Sequence, residues 1–201
     1  MRISIINYGM GNLRSVQKAF ERIKVQATIV SSPSEIVHAD KIVLPGVGHF
    51  EKGMHNMKAT RFEDAIKEAV LVKKTPILGI CLGMQLMTGF SEEGNVQGLA
   101  LIQGDVKRFP AGKLKIPHMG WNSLSLMKNS ECYQQTMHEE MVYFTHSYYV
   151  SCHNRLDSLY QTAYGINFDS AFEHENIIGF QFHPEKSHKT GLMLLEQFTK
   201  V

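Results

Sequence analysis

The chain has 201 residues, of which 43% are apolar and 20% are charged, and its formal net charge at pH 7 is +2. This length predicts one domain over residues 1–201 with a sizeable core, and the weak charge predicts no binding to nucleic acid. No apolar run reaches the ~18 residues of a membrane span, and three widely spaced cysteines (Cys81, Cys132, Cys152) favour a reducing cytoplasm over a disulfide framework.

The first half of the chain alternates apolar strands with amphipathic helices. Strands are predicted at residues 2–7, 27–30, 41–44 and 77–80. Helices, in which apolar residues recur at helical spacing, are predicted at residues 13–24, 62–70 and 82–87. This alternation predicts an α/β fold with a mostly parallel central sheet and flanking helices on both faces.

The second half of the chain is richer in strands. They are predicted at residues 105–109, 141–145, 158–164, 167–172 and 177–182. A final helix is predicted at residues 190–200, with apolar side chains on one face. Because few helices separate these strands, we expect antiparallel strands to be added to the sheet in the C-terminal half.

The clearest local pattern is Gly79-Ile80-Cys81-Leu82-Gly83, which follows an apolar strand and precedes a predicted helix. It has the form of the G-x-S-x-G nucleophile elbow, with cysteine in place of serine. Glycines permit the sharp turn, and the turn places the sulfur at the carboxyl ends of the strands, where open α/β sheets have their sites. A buried structural cysteine is the alternative interpretation of this segment alone.

A cysteine nucleophile needs a base, and the base needs a group that orients it. The segment 180–185 supplies both in His183 and Glu185. Residues two apart in an extended segment point to the same face, so we expect these two side chains to be adjacent. Pro184 lacks a backbone donor and is expected to end the strand pairing there. The sequence therefore predicts a Cys81, His183, Glu185 triad.

The loop Pro45-Gly46-Val47-Gly48 follows the predicted third strand. Such a loop can aim backbone N–H groups at a developing oxyanion, together with the N–H of Leu82. The spacing of the histidines and cysteines predicts no metal site. Gly9-Met10-Gly11 lacks the later glycine of a dinucleotide fingerprint, so no cofactor is predicted.

Two segments, 79–85 (Gly-Ile-Cys-Leu-Gly-Met-Gln) and 181–185 (Gln-Phe-His-Pro-Glu), resemble the class I, triad-type glutamine amidotransferases. Four others narrow the resemblance to the glutaminase subunits of imidazole glycerol phosphate synthase: Tyr8 to Val16, Pro45 to Gly48, Pro117 to Asn122 and His183 to Ser187. The likeness covers nearly the whole chain. The combination is specific, whereas the first two segments alone would indicate only the class.

The resemblance implies that Cys81 attacks the side-chain carbonyl of glutamine. His183, oriented by Glu185, would hold the thiol proton and deliver it to the departing ammonia, and water would then hydrolyse the glutamyl thioester. Reorientation of the Val47 peptide would complete the oxyanion hole with Leu82. The residues implied in glutamine binding are Gly48, Gln85, Glu93, Ser147 and Tyr148.

The resemblance also implies a partner, a (β/α)8-barrel cyclase subunit that receives the ammonia within a heterodimer. In histidine biosynthesis that complex forms imidazole glycerol phosphate and an aminoimidazole carboxamide ribotide. Because ammonia in neutral water is largely protonated, a dry passage between the subunits would preserve it as a nucleophile. The residues implied at the interface are Asn12, Trp121, Tyr143 and Lys186.

Two residues depart from the family pattern: Asn7, where an aspartate is usual, and His188, where a small residue is common. They leave open a paralogue that supplies ammonia to a related synthetase in surface-sugar amidination. A scaffold subunit without catalysis is a second alternative, which the intact triad argues against. A cysteine peptidase would also use a cysteine and a histidine, but the resemblance of the segment 181–185 favours glutamine.

Overall fold

A computed structural model describes residues 1–112, 114–133 and 141–201. The strands β1 to β14 are, in chain order, Ile3–Ile6, Ala27–Val30, Lys41–Gly46, Ile77–Cys81, Phe90–Ser91, Val96–Gln97, Gly104–Arg108, His118–Ser123, Ser125–Leu126, Met141–His146, Tyr148–Cys152, Ser158–Ala163, Asn167–His174 and Ile177–Phe180. The α-helices α1 to α5 are Leu13–Arg22, Phe50–Ala59, Phe62–Lys67, Leu82–Leu86 and His188–Phe198. A π-helical turn, Glu68–Val72, continues α3, and 3-10 turns form at Pro33–His38, Arg155–Asp157 and Pro184–Lys186.

The described strands form a 12-stranded sheet and a separate two-stranded ribbon. One half of the sheet is parallel, in the order β2-β1-β3-β4-β14. From β14 the pairing becomes antiparallel through β13, β11 and β7, and β5 and β6 complete that edge. The strands β8 and β10 form the antiparallel ribbon, with His118 opposite His146 and Trp121 opposite Tyr143.

Two apolar clusters pack on the two faces of the sheet. One contains Phe20 of α1 and Phe198 of α5, and the other contains Met57 of α2, Ile66 of α3 and Leu86 of α4. All five side chains are fully buried. Burial of an apolar side chain of this size contributes about 1.5–3 kcal/mol, so the two clusters hold the helices against the strands that carry the site.

The structure confirms the predicted class: a mostly parallel central sheet, helices on both faces and antiparallel strands added in the C-terminal half. The predicted strand 177–182 is shorter, Ile177–Phe180, and it pairs in parallel with β4 as well as antiparallel with β13. The helix α2 and the strands β8 and β11 were not predicted. None of the helices described is long and apolar enough to cross a bilayer.

The parallel order brings the carboxyl ends of β3, β4 and β14 to one edge of the sheet. At that edge β3 ends with Gly46 opposite Cys81, the last residue of β4. The chain then leaves β14 at Phe180 and reaches His183 three residues later. Three segments that are far apart in sequence therefore meet at one place, where the connecting loops are free to form a site.

Candidate active site

Cys81 occupies a sharp strand-to-helix turn between β4 and α4. Its backbone angles are φ 54° and ψ −110°, outside the regions that non-glycine residues favour. Such a backbone costs of the order of 1–3 kcal/mol and persists only where the surroundings impose it. A side chain at Gly83 would place its Cβ 1.7 Å from the carbonyl oxygen of Leu44, so glycine is required there. The nucleophile elbow predicted from the sequence is therefore present.

His183 and Glu185 form a buried pair. The Nδ1 of His183 lies 2.8 Å from Oε1 of Glu185, and each side chain is 2% exposed. The extended conformation predicted for this segment is wrong, because a 3-10 turn begins at Pro184. Proline suits the first position of a helical turn, where no N–H is needed and its fixed φ fits. The turn, rather than the alternation of a strand, brings the two side chains together.

The backbone of His183 is fixed by the ribbon strand β10. Its N–H donates to the carbonyl oxygen of Tyr143 at 2.9 Å. The Ser187 hydroxyl donates to the His183 carbonyl at 2.6 Å and accepts from the Tyr143 N–H at 3.0 Å. Glu185 accepts from Nδ1, so Nε2 is the atom left for proton transfer. Among the residues described, Nε2 of His183 has no hydrogen-bond partner.

The charges around His183 favour its protonated form. Burial alone would lower the pKa of this imidazole, but the neighbouring Cys81 sulfur and the Glu185 carboxylate outweigh that effect. The pKa of His183 consequently lies well above its ordinary value. A histidine with a raised pKa beside a cysteine is an arrangement in which a thiol can be activated as a nucleophile.

A cavity of about 290 Å³ opens beside Cys81. Its walls contain eight residues predicted from the sequence: Val47, Gly48, Cys81, Leu82, Gln85, Glu93, Ser147 and Tyr148. They also contain three that were not predicted for this role: Pro117, Thr145 and His146. His183 and Glu185 are not among the residues that line this cavity. The alternation of β10, in which Val142, Phe144 and His146 are buried, is the sequence signal that could have placed His146 inside.

Two polar residues of the cavity wall are held by neighbouring backbone. The Gln85 side chain donates to the Tyr148 carbonyl at 2.9 Å and to Oε1 of Gln181 at 3.0 Å. Both amide hydrogens are thereby used, and the atom that Gln85 can offer a ligand is its acceptor, Oε1. The Glu93 carboxylate accepts from the N–H of Phe50 at 2.8 Å, at the start of α2, where negative charge is favoured.

Three of the four residues predicted at a partner interface lie together. Trp121 and Tyr143 are opposite each other on the ribbon, with ring centroids 5.9 Å apart. The Nζ of Lys186 lies 5.7 Å from the centre of the Tyr143 ring, over its face. Asn12 is exposed and caps α1, which packs against the turn that contains Lys186.

The two departures from the family pattern are also accounted for. Asn7 donates to the Ser31 hydroxyl at 3.0 Å, and its side-chain oxygen accepts from Gly9 at 3.2 Å. His188 begins α5 and stacks on Trp121, with ring centroids 5.0 Å apart and planes 11° apart. Neither residue has a hydrogen bond described to the triad, and His188 adds an aromatic surface to the ribbon face.

Solved structures with the same fold include a glutamine amidotransferase with a TM-score of 0.77 and 16% identity, which covers 98% of each chain. The PurLQS structure from Thermotoga maritima also gives a TM-score of 0.77, with 17% identity, and covers 99% of this chain and 97% of that one. These identities are low, so the likeness concerns the fold.

Similarity in sequence is more specific. Residues 4–201 match the family model of the class-I glutamine amidotransferases. The chain is 47% identical to the imidazole glycerol phosphate synthase subunit HisH of Sulfurimonas denitrificans, over 98% of this chain and 97% of that protein. It is 46% identical to subunit HisH 1 of Campylobacter jejuni (99% and 100% covered) and 44% identical to subunit HisH 2 of Methanococcus maripaludis (98% of each). The chain therefore belongs to the class-I glutamine amidotransferase family and, within it, to the group of HisH subunits.

Proposed function

We propose that the chain, acting as one domain over residues 1–201, hydrolyses L-glutamine to glutamate and ammonia as the glutaminase subunit of an imidazole glycerol phosphate synthase. The observation that carries this proposal is the buried His183–Glu185 pair beside a cysteine on a strained elbow. Membership in a family of glutamine amidotransferases supplies the substrate class. The proposal needs no metal or cofactor, and it places the enzyme in the cytoplasm, where free cysteines stay reduced.

Thioester chemistry accounts for each member of the triad. The Cys81 thiolate attacks the carboxamide carbon of glutamine, and the backbone N–H groups of Leu82 and Val47 stabilise the resulting oxyanion. His183 delivers its Nε2 proton to the departing nitrogen, so that ammonia leaves. The same imidazole then removes a proton from water, which attacks the thioester and releases glutamate and Cys81.

The cavity offers complementary groups to an amino acid of this size. Oε1 of Gln85 is an acceptor that suits an N–H donor of the substrate, because both amide hydrogens of that residue are already used. The Glu93 carboxylate lies in the same wall and suits the substrate α-ammonium group. Gly48, Ser147 and Tyr148 also line this cavity.

The outer face of the β8–β10 ribbon supports the proposal of a partner. Met119, Trp121 and Met141 are 62%, 44% and 46% exposed, and they adjoin Tyr143 and Lys186. A patch of large exposed apolar side chains is typical of a surface that another protein covers. We propose that this face binds the (β/α)8-barrel cyclase subunit and that the ammonia passes into the barrel without meeting bulk water.

Glutamate formation tests the function directly. We expect the chain alone to hydrolyse glutamine slowly. Once a cyclase subunit and its ribotide substrate are added, we expect the rate of hydrolysis to rise by about 10²-fold or more, the order of magnitude that a correctly placed catalytic group contributes. Fast hydrolysis that is indifferent to that pair would contradict the assignment.

Two of the relatives carry numbers in their names, HisH 1 and HisH 2, so a paralogue with another ammonia acceptor has to be distinguished from the histidine-pathway subunit. A genetic experiment identifies the acceptor. Rescue of a histidine auxotroph that lacks its glutaminase subunit supports the histidine pathway. Failure to rescue, with glutaminase activity intact, favours the paralogue that serves another synthetase.

In the reconstituted complex, Cys81→Ala is expected to abolish glutamine-dependent synthesis but to leave synthesis from added ammonium salts unchanged. Loss of both would mean that Cys81 is needed for assembly.

A further inference from the structure

A chain of buried hydrogen bonds runs from the ribbon to the catalytic sulfur. Its members are Asn122, His118, His146, the Tyr148 carbonyl, Gln85, Gln181 and Cys81. Successive donor–acceptor distances are 3.3, 2.9, 2.8, 2.9, 3.0 and 3.8 Å, the last to sulfur. His118, His146, Gln85 and Gln181 are 3%, 6%, 4% and 0% exposed. Of these residues, the proposed reaction so far uses Gln85, Tyr148 and Cys81.

The Tyr148 carbonyl fixes the direction of every bond in this chain, because a carbonyl can only accept. Toward Cys81, Gln85 must present its NH₂ group to that carbonyl, and its second hydrogen then points to Gln181. The atom of Gln181 that faces Gln85 must therefore be the oxygen. Its NH₂ group is turned to the sulfur of Cys81, at 3.8 Å.

The same carbonyl fixes the other arm. It accepts from Nδ1 of His146, so Nε2 of His146 is the acceptor that receives Nδ1–H of His118. The Nε2 of His118 then accepts from the Asn122 amide, which also donates to the Ala163 carbonyl. Both imidazoles must be neutral for this arrangement. Burial lowers the pKa of His118 to about 4 and that of His146 to about 3, in agreement with neutral rings.

We infer that Gln181 is a further catalytic residue, whose amide donates to the Cys81 thiolate, and that His146 and His118 are positioning residues that hold this amide in place through Tyr148 and Gln85. The inference deepens the proposed function and rests on it for the identity of the reaction. A donor to the sulfur favours the charged thiolate over the thiol, as does His183 from another side. Because the amide is neutral and completely buried, its contribution does not depend on solvent or pH.

The pH dependence of Cys81 alkylation by iodoacetamide measures this contribution without glutamine. The full chain is labelled over a range of pH, and the Cys81 peptide is quantified by mass spectrometry, since Cys132 and Cys152 are also free. Gln181→Met keeps the side-chain volume and removes the hydrogen-bond donor. We expect it to raise the midpoint of Cys81 alkylation by about one pH unit, which corresponds to a tenfold loss of thiolate at neutral pH. His183 and Tyr8, which also face Cys81, are unchanged in this variant.

Gln161→Met is the matched control. The Gln161 amide also donates a hydrogen bond, to Asp169 at 3.0 Å, but it lies on β12 outside the cavity. This variant should leave the Cys81 midpoint unchanged. An unchanged midpoint in Gln181→Met, or an equal shift in Gln161→Met, would overturn the inference.

A second pair of variants tests the positioning residues and covers a failure of Gln181→Met to fold. His146→Leu removes the donor to Tyr148, whereas His146→Asn carries an amide nitrogen close to the position of Nδ1. We expect His146→Leu to raise the midpoint of Cys81 alkylation and to raise KM for glutamine severalfold. We expect His146→Asn to have the same midpoint and the same KM as the unchanged protein. If both variants behave like the unchanged protein, the chain of bonds does not position the amide.

The proposed reaction and the proposed role of Gln181 can be disproved independently of each other. If the unchanged protein forms no glutamate in the reconstituted complex but Gln181→Met still shifts the midpoint, the proposed reaction is wrong and the role of Gln181 toward the sulfur stands. If glutamate forms and the midpoint does not move, the reaction stands and the role of Gln181 is wrong.

Discussion

At the scale of single residues, the candidate site combines a cysteine on a strained backbone with a histidine whose protonated form is stabilised. Cys81 is held at a left-handed φ of 54°, and His183 is held by Glu185 on one side and by the ribbon backbone on the other. Each group is oriented before a substrate arrives. A preoriented site does not spend binding free energy on arranging its own groups during the reaction.

Glu185→Gln is expected to separate the two roles of that carboxylate. Glutamine can still accept from Nδ1 through its amide oxygen, but the negative charge, one of the causes that raise the pKa of His183, disappears. We expect kcat to fall by about 10²–10⁴-fold. The alkaline limb of the pH–rate profile, where His183 loses its proton, should move to lower pH. Profiles of kcat/KM for both proteins check this, and an unmoved alkaline limb would contradict the role given to Glu185.

At the scale of elements, the elbow depends on the close approach of α4 to β3. The nearest atom to a Cβ built at Gly83 is the Leu44 carbonyl oxygen, at 1.7 Å, and backbone cannot yield as a flexible side chain can. The helix α4 has only 5 residues, so its own hydrogen bonds do little to hold it. The packing of its first turn on β3 therefore determines where Cys81 stands.

Gly83→Ala is expected to destabilise the protein, although alanine is the better helix former. We expect a loss of about 3 kcal/mol or more, which lowers Tm by roughly 6–12 °C in a domain of this size. Gly89→Ala is the control, because its Cβ would lie 3.6 Å from the nearest atom, an ordinary contact. Thermal unfolding of the two variants should differ clearly; equal Tm values would mean that β3 can move away from α4.

The elements that the sequence predicted well are those whose signal is local. The segments around Cys81 and around His183 are each short and contiguous, and the strands of the parallel half are short, largely apolar runs. The helix α2 was missed because Gly53 and several polar residues weaken its pattern; a Cβ at Gly53 would lie 3.0 Å from the Leu86 side chain, which is a tight contact. The alternation of β10 could indicate that His146 is buried, but the position of Thr145 and His146 in the cavity depends on how the ribbon packs, which is a long-range property.

At the scale of the whole molecule, two buried neutral histidines make the fold sensitive to acid. Their pKa values in the folded chain, about 4 for His118 and about 3 for His146, lie below the ordinary value near 6.5 that the unfolded chain restores. Between these values the unfolded state binds protons at the two histidines and the folded state does not, so the free energy of unfolding decreases as the pH falls. His183 has the opposite shift, and its contribution is complete below its unfolded pKa.

We therefore expect the free energy of unfolding to decrease as the pH falls from about 6.5 to about 4, by up to roughly 1.4 kcal/mol per pH unit for each of the two histidines. His118→Phe keeps an aromatic ring against Phe144 and Tyr164 and should reduce the slope. Replacement of the exposed His38 by asparagine is the control and should leave the slope of the free energy of unfolding against pH unchanged. Urea unfolding at pH 7, 6 and 5 measures the slopes, and identical slopes in all three proteins would exclude His118 as a cause.

The hydrogen bond from the His183 N–H to the Tyr143 carbonyl has a consequence for how this molecule can change. In the proposed function the base is His183, which is hydrogen-bonded to this strand; the outward side chain of the strand, Tyr143, lies on the exposed aromatic face, and its last residues, Thr145 and His146, line the cavity beside Cys81. In the proposed function, recognition of a partner at the surface and proton transfer in the interior share a single strand of six residues. Substitutions on that strand are then expected to affect both properties at once.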